Sequence, residues 1–283
     1  MIVRSFALIN EYGLEYSLND AKKTGFLTDP KGLGYGFSVN YIDIGDAFIR
    51  TKMKAKQGVI SGMLIFGSSK PYDVYGKFRE FIRSSKEMRL IYRTPGISTA
   101  YYRDVDLVKN DKTEIENGVL KCAVEFYCKS LFYSNTQNNF KVSSVDGELR
   151  YDITWPARYN DYSERTIILS NTGDVDAPFT LSLDGYCENP TVTMQKDGKE
   201  VACIKFPLTL QAGEKILYSS LDDNMYVYHQ DAEGNKTNII QLLDINYDNF
   251  FKIPKGDYSI SFTSDTGAAY TTSLVLYKFY RTV

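Results

Sequence analysis

The sequence contains few of the residue types that define metal sites, disulfide frameworks or strongly charged surfaces. Its 283 residues include one histidine, one tryptophan and four cysteines, and 33 basic residues nearly balance 35 acidic ones. Four cysteines in a chain of this length do not make a disulfide framework. The net charge of −2 provides no electrostatic footprint for nucleic acid, so we expect no sequence-specific nucleic-acid binding.

Long hydrophobic runs are also missing. The N-terminal segment MIVRSFALINEYG is interrupted by Arg4, Asn10 and Glu11, so it lacks the pattern of a signal peptide. No uninterrupted apolar stretch reaches the roughly 18 residues that indicate a membrane helix. We therefore expect no membrane span, and we expect the protein to be made and folded in a cytoplasm.

The groups that form active sites are equally scarce. His229 is the single histidine, and a lone histidine beside a loop is more often a bystander than a general base. The glycine-rich segment GLGYG lacks the strand and helix of a nucleotide-binding fingerprint. No carboxylate pair is marked out for glycoside hydrolysis. Two acidic groups are more typical of solvated turns than of a calcium site: Asp222 with Asp223, and Asp244 with Asp248. The sequence therefore predicts no catalytic residue, cofactor or metal.

Aromatic residues are abundant, and they indicate β structure. The chain contains 23 tyrosines and 16 phenylalanines, which suit a half-buried pleated surface. Phe179, Leu181 and Leu183 alternate with polar residues, and turn formers stand on both sides of them. Turns such as Asp197-Gly198 recur throughout the second half, which predicts an antiparallel β-sandwich there. Cys122 and Cys128 are an even number of residues apart in a strand-like run, which favours two small buried side chains.

One segment has helical rather than strand periodicity. In SSKPYDVYGKFREFIRSS, apolar residues recur at spacings of three and four, and a proline stands in the first turn. This pattern predicts an amphipathic helix that docks onto the strands of the first half. The docking residues we predict are Tyr72, Tyr75, Phe78, Phe81 and Ile82.

Length and composition predict two domains. At roughly 100–200 residues per domain, the chain is long enough for two separate cores. The polar segment SNTQNNFKVSSVDGE contains few apolar residues and interrupts the strand pattern. We therefore predict an N-terminal domain at 1–136, a linker at 137–148 and a C-terminal domain at 149–283.

The order of these motifs resembles the distal tail proteins of siphovirus-type bacteriophages, the siphovirus-type tail component family. In the first half the resemblance runs through YGLEYSL, DPKGLGYGFSVNYIDIGDAFI, QGVISGMLIF, the YDVYGKFREFI helix, LIYRT and GVLKCAVEFYCKSLFY. In the second half, FFKIPKGDYSISF resembles the proline-glycine turn and following strand of that family. The second half also resembles a family signature at Asn171, Gly173, Pro178, Gly185, Asn189 and Pro190. We interpret the asparagines of this signature as turn residues and not as ligands.

The resemblance implies a fold and a role. It implies a mainly β protein, with an N-terminal ring-forming domain (β-sandwich or split-barrel-like, with one α-helix) and a C-terminal β-sandwich similar to galectins and carbohydrate-binding modules. It implies a non-enzymatic structural hub of the virion tail tip, assembled in the bacterial host cytoplasm. Six copies would form a ring whose partners are the tail-tube protein, a tail-tip or tail-associated protein and a receptor-binding protein.

Two other function classes stay open at this point. The C-terminal domain is a candidate carbohydrate-binding module that contacts host cell-surface saccharides, and Tyr226, Tyr228 and Tyr247 are its candidate glycan contacts. An enzyme such as a glycosidase is the third class, and the missing catalytic constellation disfavours it. The extended GFSVNYIDIGDAFI segment and the LKCAVEFYCKSLFY strand are predicted to lie in or near the sheets of the ring domain.

Overall fold

Contacts between residues divide the chain into two units. In the computed structural model, residues 4–96, 99–143, 165–265 and 269–283 are described. The first unit comprises Met1–Ser134 together with Phe279–Val283, and the second comprises Asn135–Lys278. Part of the predicted linker, 144–148, lies outside the described residues, and 137–143 lie in a strand. The domain bounds 1–136, 137–148 and 149–283 therefore stay a prediction.

The first unit consists of antiparallel strands and a helix. At its centre, β10 pairs with β7 on one side and with β9 on the other. β4 extends the sheet beyond β7, while β8 and β1 extend it beyond β9. The elements are β1 (Ser5–Asn10), β2 (Glu15–Ser17), β3 (Asn19–Asp20), β4 (Gly25–Lys31), β5 (Phe37–Ile44), β6 (Ala47–Ala55), β7 (Val59–Phe66), α1 (Pro71–Ser84), β8 (Met88–Arg93), β9 (Ala100–Lys112), β10 (Leu120–Cys128) and β11 (Phe132–Ser143), the last of which continues into the second unit.

Strand β10 shows how alternation builds the core of the first unit. Every second residue from Leu120 to Cys128 is buried, because successive side chains of a strand point to opposite faces. Cys122 and Cys128 therefore share the buried face, and both are free thiols. Burial raises the pKa of Cys122 to about 11, so this thiol stays protonated at neutral pH.

Helix α1 packs its apolar side against this core. Phe78 and Phe81 are buried, and Tyr75 and Ile82 pack against the core while partly exposed. The ring of Phe78 lies 6.1 Å from that of Phe66. Proline at the first helical position fits the start of the helix, because an N–H at that position would have no intrahelical partner and its loss costs no hydrogen bond.

The predicted docking set needs one correction. Tyr72 is 46% exposed and does not dock the helix; its hydroxyl instead donates a hydrogen bond to Glu114 at 2.8 Å. Val74, which the sequence pattern omitted, is buried in its place. Tyr72 and Tyr75 were grouped by spacing, but a helix turns 100° per residue, and Val74 lies closer to the centre of the buried face.

The second unit contains two antiparallel sheets. One has the strand order β19-β18-β17-β13-β21, and the other has the order β12-β20-β14-β15. The elements are β12 (Arg165–Asn171), β13 (Phe179–Glu188), β14 (Thr191–Lys196), β15 (Lys199–Lys205), β16 (Thr209–Leu210), β17 (Lys215–Leu221), β18 (Asn224–Gln230), β19 (Lys236–Asn238), a 3-10 helix (Ile240–Leu242), β20 (Gly256–Thr263) and β21 (Ala269–Tyr280), whose end returns to the first unit.

One hydrophobic core joins the inner faces of these two sheets. Phe179, Leu181 and Leu183 of β13 are buried in the same cluster as Val192 and Ile260 of the opposite sheet. This is the packing of a β-sandwich. The mainly β fold class with antiparallel sheets is confirmed, whereas the likeness of this unit to galectins stays a prediction.

Two tight turns have the backbone conformation that their sequence predicts. Asn117 and Gly118 have φ of 50° and 75°, and Asp197 and Gly198 have φ of 51° and 74°. Positive φ at both central positions matches the right-handed twist of the strands that such a turn connects. Among the described residues, no helix is long and apolar enough to cross a membrane.

Candidate oligomerisation surface

Strands β5 and β6 form a two-stranded sheet of their own within the first unit. We name this hairpin, Phe37–Ala55, the arm. Its register runs from Phe37 opposite Ala55 to Ile44 opposite Ala47, and the turn contains Gly45 at a φ of 65°. Every residue of β6 is exposed, as is every residue of β5 except the partly exposed Val39. An isolated two-stranded hairpin is at best marginally stable in water, so the arm requires a surface to pack against.

The arm is rich in exposed apolar side chains. Its most exposed large one, Phe48, has 72% of its surface accessible. Contiguous apolar patches on a soluble protein mark interaction sites. Seven large apolar residues of the arm, of types that usually occur in buried strands, are exposed in the single chain: Phe37, Tyr41, Ile42, Ile44, Phe48, Ile49 and Met53.

A β-bulge sorts these side chains onto two different faces. The register shifts between Asn40, opposite Lys52, and Tyr41, opposite Arg50, so Thr51 is left without a partner residue. The Thr51 hydroxyl donates to the carbonyl of Asn40 at 3.1 Å, which satisfies that acceptor at the irregularity. Without the bulge, every residue of β6 on the turn side would change its strand partner.

Opposite residues in antiparallel strands share a face, so the two faces follow from the register. We name the first the aromatic face; its members are Phe37, Val39, Tyr41, Asp43, Phe48, Arg50, Met53 and Ala55. We name the second the isoleucine face; its members are Ser38, Asn40, Ile42, Ile44, Ala47, Ile49, Lys52 and Lys54. The isoleucine face is apolar near the turn and basic near the base.

The base of the arm is tied to the core of the first unit. The Lys56 N–H donates to the Gly36 carbonyl at 2.8 Å and closes the base of the hairpin, while the Gln57 side chain donates to the Cys128 carbonyl of β10 at 3.2 Å. Gly58 lies so close to Arg103 that a Cβ there would be 2.3 Å from the guanidinium. These contacts fix the point from which the arm projects.

Arg103 is an unusual part of this base. It is 3% exposed, lies 4.7 Å over the Phe132 ring and donates from Nε to the Ser130 carbonyl at 2.9 Å. Burial lowers the pKa of its guanidinium. The guanidinium is therefore held by the cation–π contact and by the Ser130 carbonyl, while its buried Nη1 has no hydrogen-bond partner among the described residues.

The signature residues of the second unit bind backbone. Asn171 is 1% exposed; its amide nitrogen donates to the carbonyls of Val175 and Ile253 at 3.0 and 2.8 Å. Its amide oxygen accepts from the N–H of Gly173 at 2.9 Å. All the polar atoms of this side chain are therefore occupied, and it stabilises the turn between β12 and β13.

The other signature residues lie beside the ends of β13, except Gly185, which lies within that strand. Gly185 and Asn189 have positive φ, 119° and 45°, a region open to glycine and tolerated by asparagine. Asn189 also donates to the Asp265 carboxylate at 2.7 Å. Pro178 and Pro190 are buried, and the carbonyl of each accepts a backbone hydrogen bond.

The candidate glycan contacts are only partly brought together. Tyr226 and Tyr228 project from one face of β18, and their rings stack at 5.1 Å with both side chains half-buried. Burial raises the pKa of Tyr226, with smaller contributions from Tyr277 and Tyr228. Tyr247 lies in the loop after the 3-10 helix, where its N–H donates to the Asp244 carbonyl at 3.2 Å.

The polar residues considered for catalysis or metal binding lie close to other polar side chains of the second unit. His229 Nε2 lies 3.2 Å from Glu214 Oε2. The backbone N–H of Gln211 is the main cause that lowers the pKa of Glu214. Asp222 pairs with Lys252, and the Asp244 carboxylate accepts from Asn246. Within the part of the chain that is described, no three or more metal-ligating side chains form a group that could hold a metal ion.

Comparison with known proteins gives a family match for the first unit and structural matches for the whole chain. Residues 5–129 match the family described as distal tail protein, N-terminal domain. The fold is similar to a protein of the phage P2 baseplate in its activated conformation with calcium, at a TM-score of 0.64 and 17% identity over 100% of both chains. A protein of the same baseplate with strontium gives 0.64 and 18%, again over 100% of both chains.

A third solved structure comes from another phage. The SPP1 Dit protein, whose authors call it a paradigm of the hub adsorption apparatus in phages infecting Gram-positive bacteria, has a TM-score of 0.60 and 14% identity. The match covers 96% of this chain and 98% of that one. At these identities the matches show a shared fold. No curated protein sequence matches the chain.

Proposed function

We propose that the chain is the structural hub of a phage tail tip, because residues 5–129 match the family described as distal tail protein, N-terminal domain. Copies of the chain form a closed ring of six at the end of the tail tube. The ring joins the tail-tube protein to a tail-tip or tail-associated protein and to a receptor-binding protein. The chain is made and assembled in the bacterial host cytoplasm and carries out no catalytic step.

The arm is the observation that carries this proposal. A ring needs a heterologous interface, in which one surface of a copy meets a different surface of the next copy. The arm has two free edges and two exposed faces with large apolar side chains, and its base is fixed to the core. Such an element gains burial when it packs against another chain.

A structural role agrees with what the signature residues do. Asn171 and Asn189 use their side chains to hold loops and strand ends together, and Gly185 and Asn189 have the positive φ that few other residues tolerate. These residues keep the β13 strand in register, because a slip of one position would expose its buried face.

The mass of the protein in solution tests the ring. By light scattering we expect the wild-type chain at about six times 32.2 kDa. The arm variant has the sequence Asn-Gly in place of residues 38–54. We expect this variant to be a monomer with an unchanged melting temperature, because the arm contributes little to the core. As a control, the exposed loop 231–235 is shortened to Asn-Gly, which leaves the mass of the assembly unchanged. Equal masses for wild type and the arm variant would contradict the proposal.

Glycan binding is the second candidate function, and it rests on the stacked pair of Tyr226 and Tyr228. Aromatic rings are amphipathic contact surfaces, and both tyrosines of this pair keep part of their surface accessible to solvent. A glycan array probed with the full chain and with the Tyr228→Ala variant tests this candidate. Binding by the wild type that the variant loses would support it. If neither protein binds any glycan on the array, glycan binding is contradicted and the structural hub is the one function that is left.

A further inference from the structure

The turn between β1 and β2 displays two apolar side chains to solvent. We name Asn10–Glu15 the Tyr12 turn. Tyr12 is 72% exposed and Leu14 is 61% exposed, among the highest values for large apolar side chains of the first unit outside the arm. Exposed tyrosine and leucine side chains side by side form the kind of small patch that interfaces use.

The conformation of this turn is held from inside. Asn10 is almost buried, and its side-chain oxygen accepts from the N–H groups of Tyr12 and Leu14 at 3.1 and 2.9 Å. The Gly13 N–H donates to the Asn10 carbonyl at 3.0 Å, and Gly13 has a φ of 78°. Because the turn is already ordered, a partner that binds Tyr12 and Leu14 loses little conformational entropy in fixing them.

Carboxylates flank the apolar pair. Glu11 accepts hydrogen bonds from the N–H groups of Lys86 and Glu87, and these bonds lower the pKa of Glu11, so it is ionised at neutral pH. Glu15 lies on the other side, 3.4 Å from Arg93, and is exposed. The patch therefore combines an apolar centre with two carboxylates, of which Glu15 is already paired with Arg93.

Resting on the proposed ring, the geometry points to the Tyr12 turn as the surface on which the isoleucine face of a neighbouring copy's arm docks. Ile42, Ile44 and Ile49 meet Tyr12 and Leu14, while Lys52 and Lys54 approach Glu11 and Glu15. The aromatic face is excluded from this role, because its charged members are the mixed pair Arg50 and Asp43.

We take the partner to be a second copy because the arm and the Tyr12 turn are complementary in character, with exposed apolar side chains beside lysines on the arm and beside carboxylates on the turn. In the single chain both the arm and the Tyr12 turn are exposed. A strand of eight or nine residues spans about 25–30 Å, which is enough to reach across to an adjacent domain. The arm and the turn are different surfaces of the same chain, so the contact is heterologous and repeats around a ring.

Cysteine cross-linking of the assembled protein tests this contact. The variant Leu14→Cys with Ile49→Cys, oxidised with copper phenanthroline, is expected to give a ladder of disulfide-linked species up to the mass of the full ring. The control is Leu14→Cys with Phe48→Cys, in which the second cysteine lies next to Ile49 but on the aromatic face. This control is expected to give at least fivefold less cross-linked dimer. The four native thiols are buried, so the wild type is expected to give no ladder.

Light scattering of the same samples under reducing conditions distinguishes failure of the docking contact from failure of the hub proposal. An assembly that forms in both variants but gives no ladder, or gives equal ladders, overturns the docking contact and leaves the hub proposal standing. Monomers at every concentration, in the wild type as in the variants, overturn the hub proposal and the docking contact with it.

Discussion

The side chain of Asn171 is nearly buried, and its amide makes three backbone hydrogen bonds, two of them with Gly173 and Val175 in the turn after β12 and one with Ile253. In the sequence, an asparagine in a polar, glycine-containing stretch is compatible with a ligand site or with a turn. The structure shows that Asn171 stabilises a turn, since the amide nitrogen and the amide oxygen of this side chain both have partners within the same unit.

Replacement of Asn171 by alanine should therefore destabilise the protein. The change removes the bonds that the amide donates to the carbonyls of Val175 and Ile253, and it removes the acceptor of the buried Gly173 N–H, at an expected cost of about 1–3 kcal/mol in the free energy of unfolding. Urea denaturation of the full chain measures it. Asn224→Ala, an exposed asparagine of the same unit, serves as the control and should change the value by less than about 0.5 kcal/mol. A loss no larger than that of the control would argue against this role for Asn171.

The four cysteines should be inert in the folded protein. Burial raises the pKa of Cys122 to about 11 and that of Cys187 to about 12, so at pH 8 their thiolate fractions lie far below that of an ordinary thiol, whose pKa is about 8.5. A chromogenic disulfide reagent at pH 8 should titrate none of the thiols before unfolding and all four in denaturant. Rapid reaction of even one thiol in the native protein is the contrary result.

At the scale of elements, helix α1 follows directly from its sequence period. Phe78→Ala should lower the free energy of unfolding by about 3–5 kcal/mol, because it removes a fully buried ring and leaves a cavity. Tyr72→Ala on the same helix is the matched control, since Tyr72 lies on the exposed side. Thermal melts of both variants make the comparison. Equal melting temperatures for the two would show that the docking assignment is wrong.

Local features of these elements were predictable because their causes are local. The paired positive φ angles at Asn117-Gly118 and at Asp197-Gly198 follow from residue types that tolerate that conformation. The strand that begins at Phe179 follows from the alternation of apolar and polar residues and from the turn-forming residues on both sides of it. The error at Tyr72 arose because spacing alone does not fix the centre of a helix face.

The arm could not be predicted as an exposed element. Its alternating apolar residues have the pattern of a strand whose face is buried, and the sequence does not record whether the covering surface belongs to the same chain or to another. The bulge at Thr51 changes which residues share a face, and no turn former or proline marks it. The segment is extended as expected, but it forms a separate sheet rather than a part of the central one.

At the scale of the whole molecule, the two units have separate cores and separate uses. The first unit contains the residues that match the family, together with the arm and the Tyr12 turn, which in the proposed assembly form the contact between neighbouring copies. The second unit is a β-sandwich whose signature residues hold turns and strand ends. The account assigns assembly to the first unit and leaves the second available to bind partners at the tail tip.

Negative-stain electron microscopy of the purified full chain tests the central claim, that copies of this protein join into a closed ring through their arms. The account predicts ring-shaped particles with six-fold symmetry and a central channel for the wild type, and single particles for the variant that lacks residues 38–54. Rings that persist without the arm would contradict the account, and so would wild-type images that contain single particles alone at concentrations where the protein is fully folded.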